Sequence, residues 1–301
     1  MPIFRVMTFN VLYGATNRER LVREVVQEIR PDVAVFTEAR GTKEFESVAK
    51  DVGNHLVRGG GPMDRDFVVV ASRWPIDESQ RFRPGWGWSK WIRARIRPFG
   101  GPPLTVVGVQ LPAHLLWPFE VLRVLEVGDL MGRVRDGTHI IAGDFNAVSP
   151  GDTHRLADAA WWVRAQWLLQ SGFVPRWSLR RMKAGGFEDC YRACHPTADG
   201  FTVPAWNPQV RMDYVFASSD LAPALRSSGR QEPRTSANGR SVRRSAAELL
   251  GRSPVGSLAG EASDHLAVWA DFEWPDADMP ANIQTEPTRA GSGARAAHLA
   301  R

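Results

Sequence analysis

Five short apolar runs in this chain of 301 residues end in, or carry, side chains able to engage phosphate or a metal ion. Asn10 follows Met7-Thr8-Phe9, and Glu38 follows Val35-Phe36-Thr37. Asp144 and Asn146 follow Ile140-Ile141-Ala142-Gly143. Asp213 lies in Arg211-Met212-Asp213-Tyr214-Val215-Phe216, and Ser263-Asp264-His265 precedes Leu266-Ala267-Val268. A strand end fixes a side chain while leaving it open to a ligand, which is why these positions stand out. Singly, each has a structural explanation: Asn10 as a turn cap, Glu38 as the start of a helix near 42–49, Gly143-Asp144 as a turn, Asp264 as an Asx-turn or helix cap. Together, carboxylates and amides with one histidine and no thiolate form an oxygen-rich set that suits Mg²⁺ or Mn²⁺ better than zinc.

The elements that must position these residues follow from hydrophobic spacing. Residues 3–9 form an apolar run broken only by Arg5 and Thr8, which predicts a buried strand. Leu21, Val22, Val25, Val26 and Ile29 recur at helical spacing, and Pro31 ends that helix. Residues 33–36 then give a second strand. Residues 67–71, 91–97 and 104–109 are further strands, rich in β-branched side chains and bounded by glycine and proline. The span 119–134 is helical by period, 139–142 and 212–217 are short strands, and 266–272 closes the ordered part. The mixture predicts an α/β domain, with no internal repeat and no second domain.

Composition narrows the class. With 43% hydrophobic residues the chain can bury a large core, and no run approaches the roughly 18 apolar residues of a membrane span. The first residues read straight into a strand without a signal-peptide pattern, so a soluble cytoplasmic protein is expected. Cys190 and Cys194 have the spacing of one helix face but no completing ligands, and are expected to be reduced thiols. The net charge is +5, yet seven arginines against two glutamates between Arg226 and Arg252 account for the whole excess. Residues 226–261 are expected to form a mobile basic insertion and 275–301 a disordered tail, leaving 1–274 as the folded domain.

The ordered series "TFN", "TEAR", "SRWPI", "GDFN", "RMDYVF" and "SDHLAV" resembles the endonuclease/exonuclease/phosphatase (DNase I-like) family from about Arg5 to Phe272. The resemblance implies a four-layer α/β sandwich, two mixed sheets face to face with helices outside. It also implies phosphoester hydrolysis assisted by one or two Mg²⁺ or Mn²⁺ ions. Glu38 would be the principal metal ligand, with Asn10 and Asp264 nearby. Asp144 would orient or deprotonate the attacking water, and Asn146 would hold it or bind phosphate. His265 would donate to the phosphoryl oxygen, with Asp213 fixing its ring; the water's base is Asp144 or His265. One departure stands out: Gln110 occupies a strand position where family members usually carry histidine. Either His114 substitutes from the following loop, or Gln110 only binds phosphate and metal-bound water protonates the leaving group.

Several weaker features remain. Arg73, in "SRWPI", is a candidate phosphate ligand or a structural ion pair. Arg65 and Asp66, just before the same strand, either line the cleft or are structural. Trp206 is expected at the cleft and Trp91 in packing, while Trp86 and Trp88 stay open. Trp161, Trp162, Trp167 and Leu168 are expected on an amphipathic helix, facing the core rather than a membrane. The expected function is a phosphodiesterase or endonuclease acting on nucleic acid. The alternatives are a nucleotide or phospholipid-headgroup esterase, and a non-catalytic binding protein on the same fold.

Overall fold

The computed structural model describes residues 1–60, 66–83, 89–134, 137–233 and 261–275. Two six-stranded mixed sheets pack face to face. The first has the order β11-β12-β1-β2-β4-β3, and the second β5-β6-β7-β8-β10-β9. In chain order these are β1 (Ile3–Asn10), β2 (Val33–Ala39), β3 (His55–Gly59), β4 (Phe67–Ser72), β5 (Ile76–Phe82) and β6 (Lys90–Ile96). They are followed by β7 (Leu104–Gln110), β8 (His139–Asp144), β9 (Phe187–Asp189), β10 (Asp213–Ser218), β11 (Leu225–Arg230) and β12 (Val268–Glu273). The helices are α1 (Glu19–Ile29), α2 (Lys43–Ala49), α3 (Trp117–Arg133), α4 (Trp161–Leu169), α5 (Trp177–Ala184) and α6 (Cys190–Cys194).

Alternation along the strands builds three apolar layers. Between the sheets lie Phe4, Val6, Val35, Val68, Ile92, Val106, Ile140 and Val215. The opposite face of the first sheet, through Met7, Phe9, Ala34 and Phe36, takes Val22, Val25, Val26 and Ile29 of α1 and Phe45 of α2. The outer face of the second sheet packs Val107, Ile141 and Phe216 against Val127 and Leu130 of α3 and Leu179 of α5. This is the expected four-layer sandwich. Trp91 is buried as expected, though under the helices rather than between the sheets, edge-on to Phe82.

Parallel pairing of β1 with β2 and of β7 with β8, with antiparallel β10 and β12 beside them, decides where side chains meet. Their C-terminal ends (β1, β2, β7, β8) and N-terminal ends (β10, β12) all open on the same edge. Gly143 serves this arrangement: its φ is +154°, and a Cβ there would lie 1.8 Å from the Val109 carbonyl oxygen. Gly143→Ala is therefore expected to cost at least about 2 kcal/mol, from overpacking and a strained backbone, measured as a lowered denaturation midpoint.

Two expectations need correction. Residues 226–230 are not part of an insertion: they belong to β11, which pairs with β12 from Leu225 to Arg230. The rest of the basic segment, 234–260, and the tail from 276 lie outside the described residues, as do Arg65, Trp86 and Trp88. Trp161, Trp162 and Leu168 do not face the core. No residue of α4 is buried, and Trp161 is 74% exposed.

Candidate active site

At the shared sheet edge, Asn10 closes β1 and is fully buried. Its Nδ2 donates to Glu38 Oε1 at 3.0 Å and to Asp144 Oδ2 at 3.1 Å, so one amide ties a carboxylate of each sheet together. Its Oδ1 accepts the Leu12 N–H at 3.0 Å. Glu38 sits where β2 loses register with β4 and has φ +53°. A non-glycine residue held there is strained, a feature that gathers at functional sites. Burial raises the Glu38 pKa, and repulsion from Asp264 raises it further.

In the second sheet, Asp144 ends β8 and pairs in register with Asp213, the first residue of β10, and with Gln110, the last of β7. Asn146, at φ +47°, donates its N–H to Asp144 Oδ1 at 2.9 Å and its Nδ2 to Oδ2 at 3.0 Å. Asp213 Oδ2 lies 2.8 Å from His265 Nδ1, which donates to it. Ligand atoms of Asp144, Asp213 and His265 fall within 4.8 Å of one another. Burial lifts the Asp144 pKa to about 7, with His265 opposing and Asp213 and Glu38 adding to the rise. Burial alone would lower His265, but Asp213, Asp144 and Asp264 hold it well above the ordinary histidine value.

The donor set fits a divalent cation. Glu38, Asp144, Asp213 and Asp264 face one imidazole, and Asp213 Oδ1 is buried without a hydrogen-bond partner. Excess negative charge and an unpaired carboxylate oxygen are costly unless a cation or donor meets them. All donors are hard oxygens or imidazole nitrogen.

The structure brings together Asn10, Glu38, Asp144, Asn146, Asp213, Asp264 and His265, with Gln110 beside Asp144. Trp206 is half-buried and adjoins Ala205, whose N–H donates to the Asp264 carbonyl at 2.8 Å. His114 is not drawn into the hydrogen-bonded cluster: at φ +78° its ring packs on Phe119, with centroids 4.9 Å apart. Arg73 is not at the site either. It follows β4, whose Ser72 pairs with Val33 at the far end of β2, and its guanidinium bonds Asp32 at 3.0 Å. About 15–20 Å of strand separates that end from Glu38. Asp66 pairs with Arg40 at 3.1 Å.

Three supporting arginines escaped the sequence reading. Buried Arg18 donates to the carbonyls of Val11, Leu12 and Ala262, stapling the loop after Asn10 to the approach of Asp264. Buried Arg123 pairs with Glu120 at 2.8 Å and donates to the carbonyls of Pro112 and His114, which fixes the loop leaving Gln110. Arg211 binds Asp152 and Asp189 beneath β10, with Tyr214 against its guanidinium at 4.4 Å. Arg123 stands in the apolar run Val121-Leu122-Arg123-Val124-Leu125, whereas Arg18, between Asn17 and Glu19, carries no such local signal.

Two facing sheets thus carry acidic, amide and imidazole groups on one shared edge. The chain belongs to the Endonuclease/Exonuclease/phosphatase family, whose model matches residues 7–265. Among solved structures it is similar to an AP endonuclease from Archaeoglobus fulgidus, with 17% identity and a TM-score of 0.63 over 90% of this chain and 100% of that one. The 3'-5' exonuclease NExo from Neisseria meningitidis gives 18% identity and a TM-score of 0.61 over 90% and 100%. A truncated TDP2 from Caenorhabditis elegans gives 15% and 0.59 over 90% and 97%. Comparison with curated proteins finds no match.

Proposed function

We propose that the chain is a divalent-metal-dependent phosphodiesterase that cleaves a P–O bond by water attack, with nucleic acid as its leading substrate. The observation that carries this reading is the Asp144–Asp213–His265 cluster, joined to Glu38 through Asn10. Glu38 and Asp264, with Asn10 beside them, would hold Mg²⁺ or Mn²⁺. The ion, when bound, supplies Lewis acidity toward a phosphoryl oxygen.

The chain's own groups do the rest. Asn146 and Asn10 hold both Asp144 oxygens in place, so that carboxylate is oriented to accept a proton from water. Asp213 holds the Nδ1–H of His265, which leaves Nε2 as the donor toward a phosphoryl oxygen. Gln110, in register with Asp144, offers an amide to phosphate but no leaving-group proton. Trp206 provides an aromatic surface for a base or headgroup. A second reading keeps this chemistry and moves the substrate to a phospholipid headgroup or nucleotide. It is favoured by a body whose charge is close to neutral outside residues 226–252.

Metal linkage tests the assignment directly. Mn²⁺ at a hundredfold excess over its dissociation constant is expected to stabilise the folded chain by about 2.7 kcal/mol, reversibly with EDTA. Glu38→Gln is expected to abolish most of that thermal shift. An equal shift in both proteins would place the ion elsewhere.

A further inference from the structure

The exposed surface of α3, α4 and α5 carries apolar groups that neither the fold nor the site uses. Trp117, Val121 and Leu125 lie at i, i+4 and i+8 on α3, all exposed. Trp161, Trp162, Leu168 and Leu169 are exposed on α4, with Leu169 at 80%, and Phe173 and Trp177 follow. These groups are neighbours. Gln170 donates to the Leu115 carbonyl at 3.0 Å and accepts the Trp117 N–H at 3.1 Å, docking the end of α4 on the start of α3. Ser178 donates to Glu120 through its N–H and its hydroxyl, which seats Trp177 beside the same turn of α3. The Phe173 and Trp177 rings lie 6.2 Å apart.

The charge of this surface is one-sided. Arg164, Arg180, Arg181 and Lys183 are exposed on α4 and α5, which carry no aspartate or glutamate, while Arg176 turns inward onto the Ser149 and Asp152 carbonyls. Arg164 stands three residues after Trp161, and Arg180 and Arg181 three and four after Trp177, so cations share helix faces with the tryptophans. Of the acids on α3, Glu120 and Glu126 are buried, and Asp129 pairs with Arg133 at 3.1 Å.

We infer that this face docks on an anionic phospholipid membrane surface. Tryptophan, leucine and phenylalanine flanked by arginine and lysine are the composition of an interfacial helix, whose apolar side enters the acyl boundary while its cations meet anionic headgroups. The charge pattern selects this occupant over others. A second copy in a two-fold dimer would oppose like charges across the interface. Nucleic acid would match the arginines but leave Leu168 and Leu169 in water. The face adjoins the loop from Gln110 to Trp117, whose Leu111 carbonyl accepts from Asn146 Nδ2 at 3.1 Å, so docking sets the mouth of the site alongside the lipid surface.

Sedimentation of the full chain with vesicles tests this without any reference to catalysis. Binding is expected to phosphatidylcholine vesicles containing phosphatidylserine, weaker binding to phosphatidylcholine alone, and a blue shift of tryptophan emission on binding. Arg164→Glu with Arg180→Glu, and separately Trp161→Gln with Leu169→Gln, are each expected to lower vesicle affinity at least about tenfold. All four side chains are exposed, so folding and hydrolysis of a soluble phosphodiester are expected to stay as in the parent. No binding to anionic vesicles, or binding that both double variants retain, would overturn the inference. So would self-association, or DNA binding, that the same variants abolish in a protein that ignores vesicles.

Discussion

Asp144→Asn is expected to lower kcat at least about 10³-fold while changing stability by less than about 2 kcal/mol. The substitution keeps the shape and one acceptor oxygen but removes the charge and the basicity. Asp144 is held by Asn10 and both donors of Asn146, and burial brings its pKa to about 7, where a carboxyl can take a proton near neutral pH. Neutralising one of four crowded carboxylates relieves repulsion, which offsets the poorer hydrogen bonds the amide makes. A residue with only a structural role would show the opposite pattern, with stability lost and turnover kept. Turnover and a denaturation midpoint measured on the same preparation separate the two.

Arg211→Met is expected to destabilise the fold by about 3–5 kcal/mol, because it strands buried carboxylates. Asp152 and Asp189 both bond this guanidinium, and all three side chains are buried. Arg192 also reaches Asp152 at 2.8 Å, so Asp189 is the group left most exposed to the loss. Adding Asp152→Asn and Asp189→Asn to Arg211→Met should recover much of the stability, since a neutral amide needs no counter-charge. Denaturant unfolding of the single and triple variants measures this. A loss below about 1 kcal/mol for the single variant would show that the network is not what anchors the start of β10. Because Asp213 begins that strand two residues later, the single variant should also slow turnover.

The candidate site was legible because its residues end strands whose apolar runs are unmistakable. Asn10, Glu38, Asp144 and Asp213 each follow or begin a run of buried aliphatic residues, and parallel pairing of β1 with β2 and of β7 with β8, with β10 antiparallel to β8, brings those ends to one edge. The layers were legible for the same reason, as with α1, whose apolar residues fall on one stripe. The family resemblance supplied the four-layer architecture, which periodicity alone left open. β5 was missed because Asp77, Glu78, Ser79, Gln80 and Arg81 are exposed at the edge of its sheet and carry no alternation. β11 was hidden in an arginine- and serine-rich stretch for a similar reason.

α4 shows the reverse failure. Its tryptophans read as core because large aromatics usually are, and nothing local marked them as exposed. Arg73 was drawn toward the site by its motif, whereas antiparallel pairing of β4 with β2 carries it to the opposite edge. His114 depended on loop geometry that Arg123 and Phe119 impose from α3, a long-range effect that spacing does not encode.

The central claim, that this edge is a working hydrolytic centre, is tested most directly by one panel. Supercoiled and abasic DNA, RNA, bis-p-nitrophenyl phosphate, phosphoinositides and sphingomyelin would be incubated with Mg²⁺, Mn²⁺ or EDTA, with His265→Ala as the blank. The expected result is hydrolysis of one substrate class that requires the metal and is lost in His265→Ala. Hydrolysis that persists in EDTA or in His265→Ala, or silence across the panel with no metal bound, would contradict it and favour a binding protein on this fold.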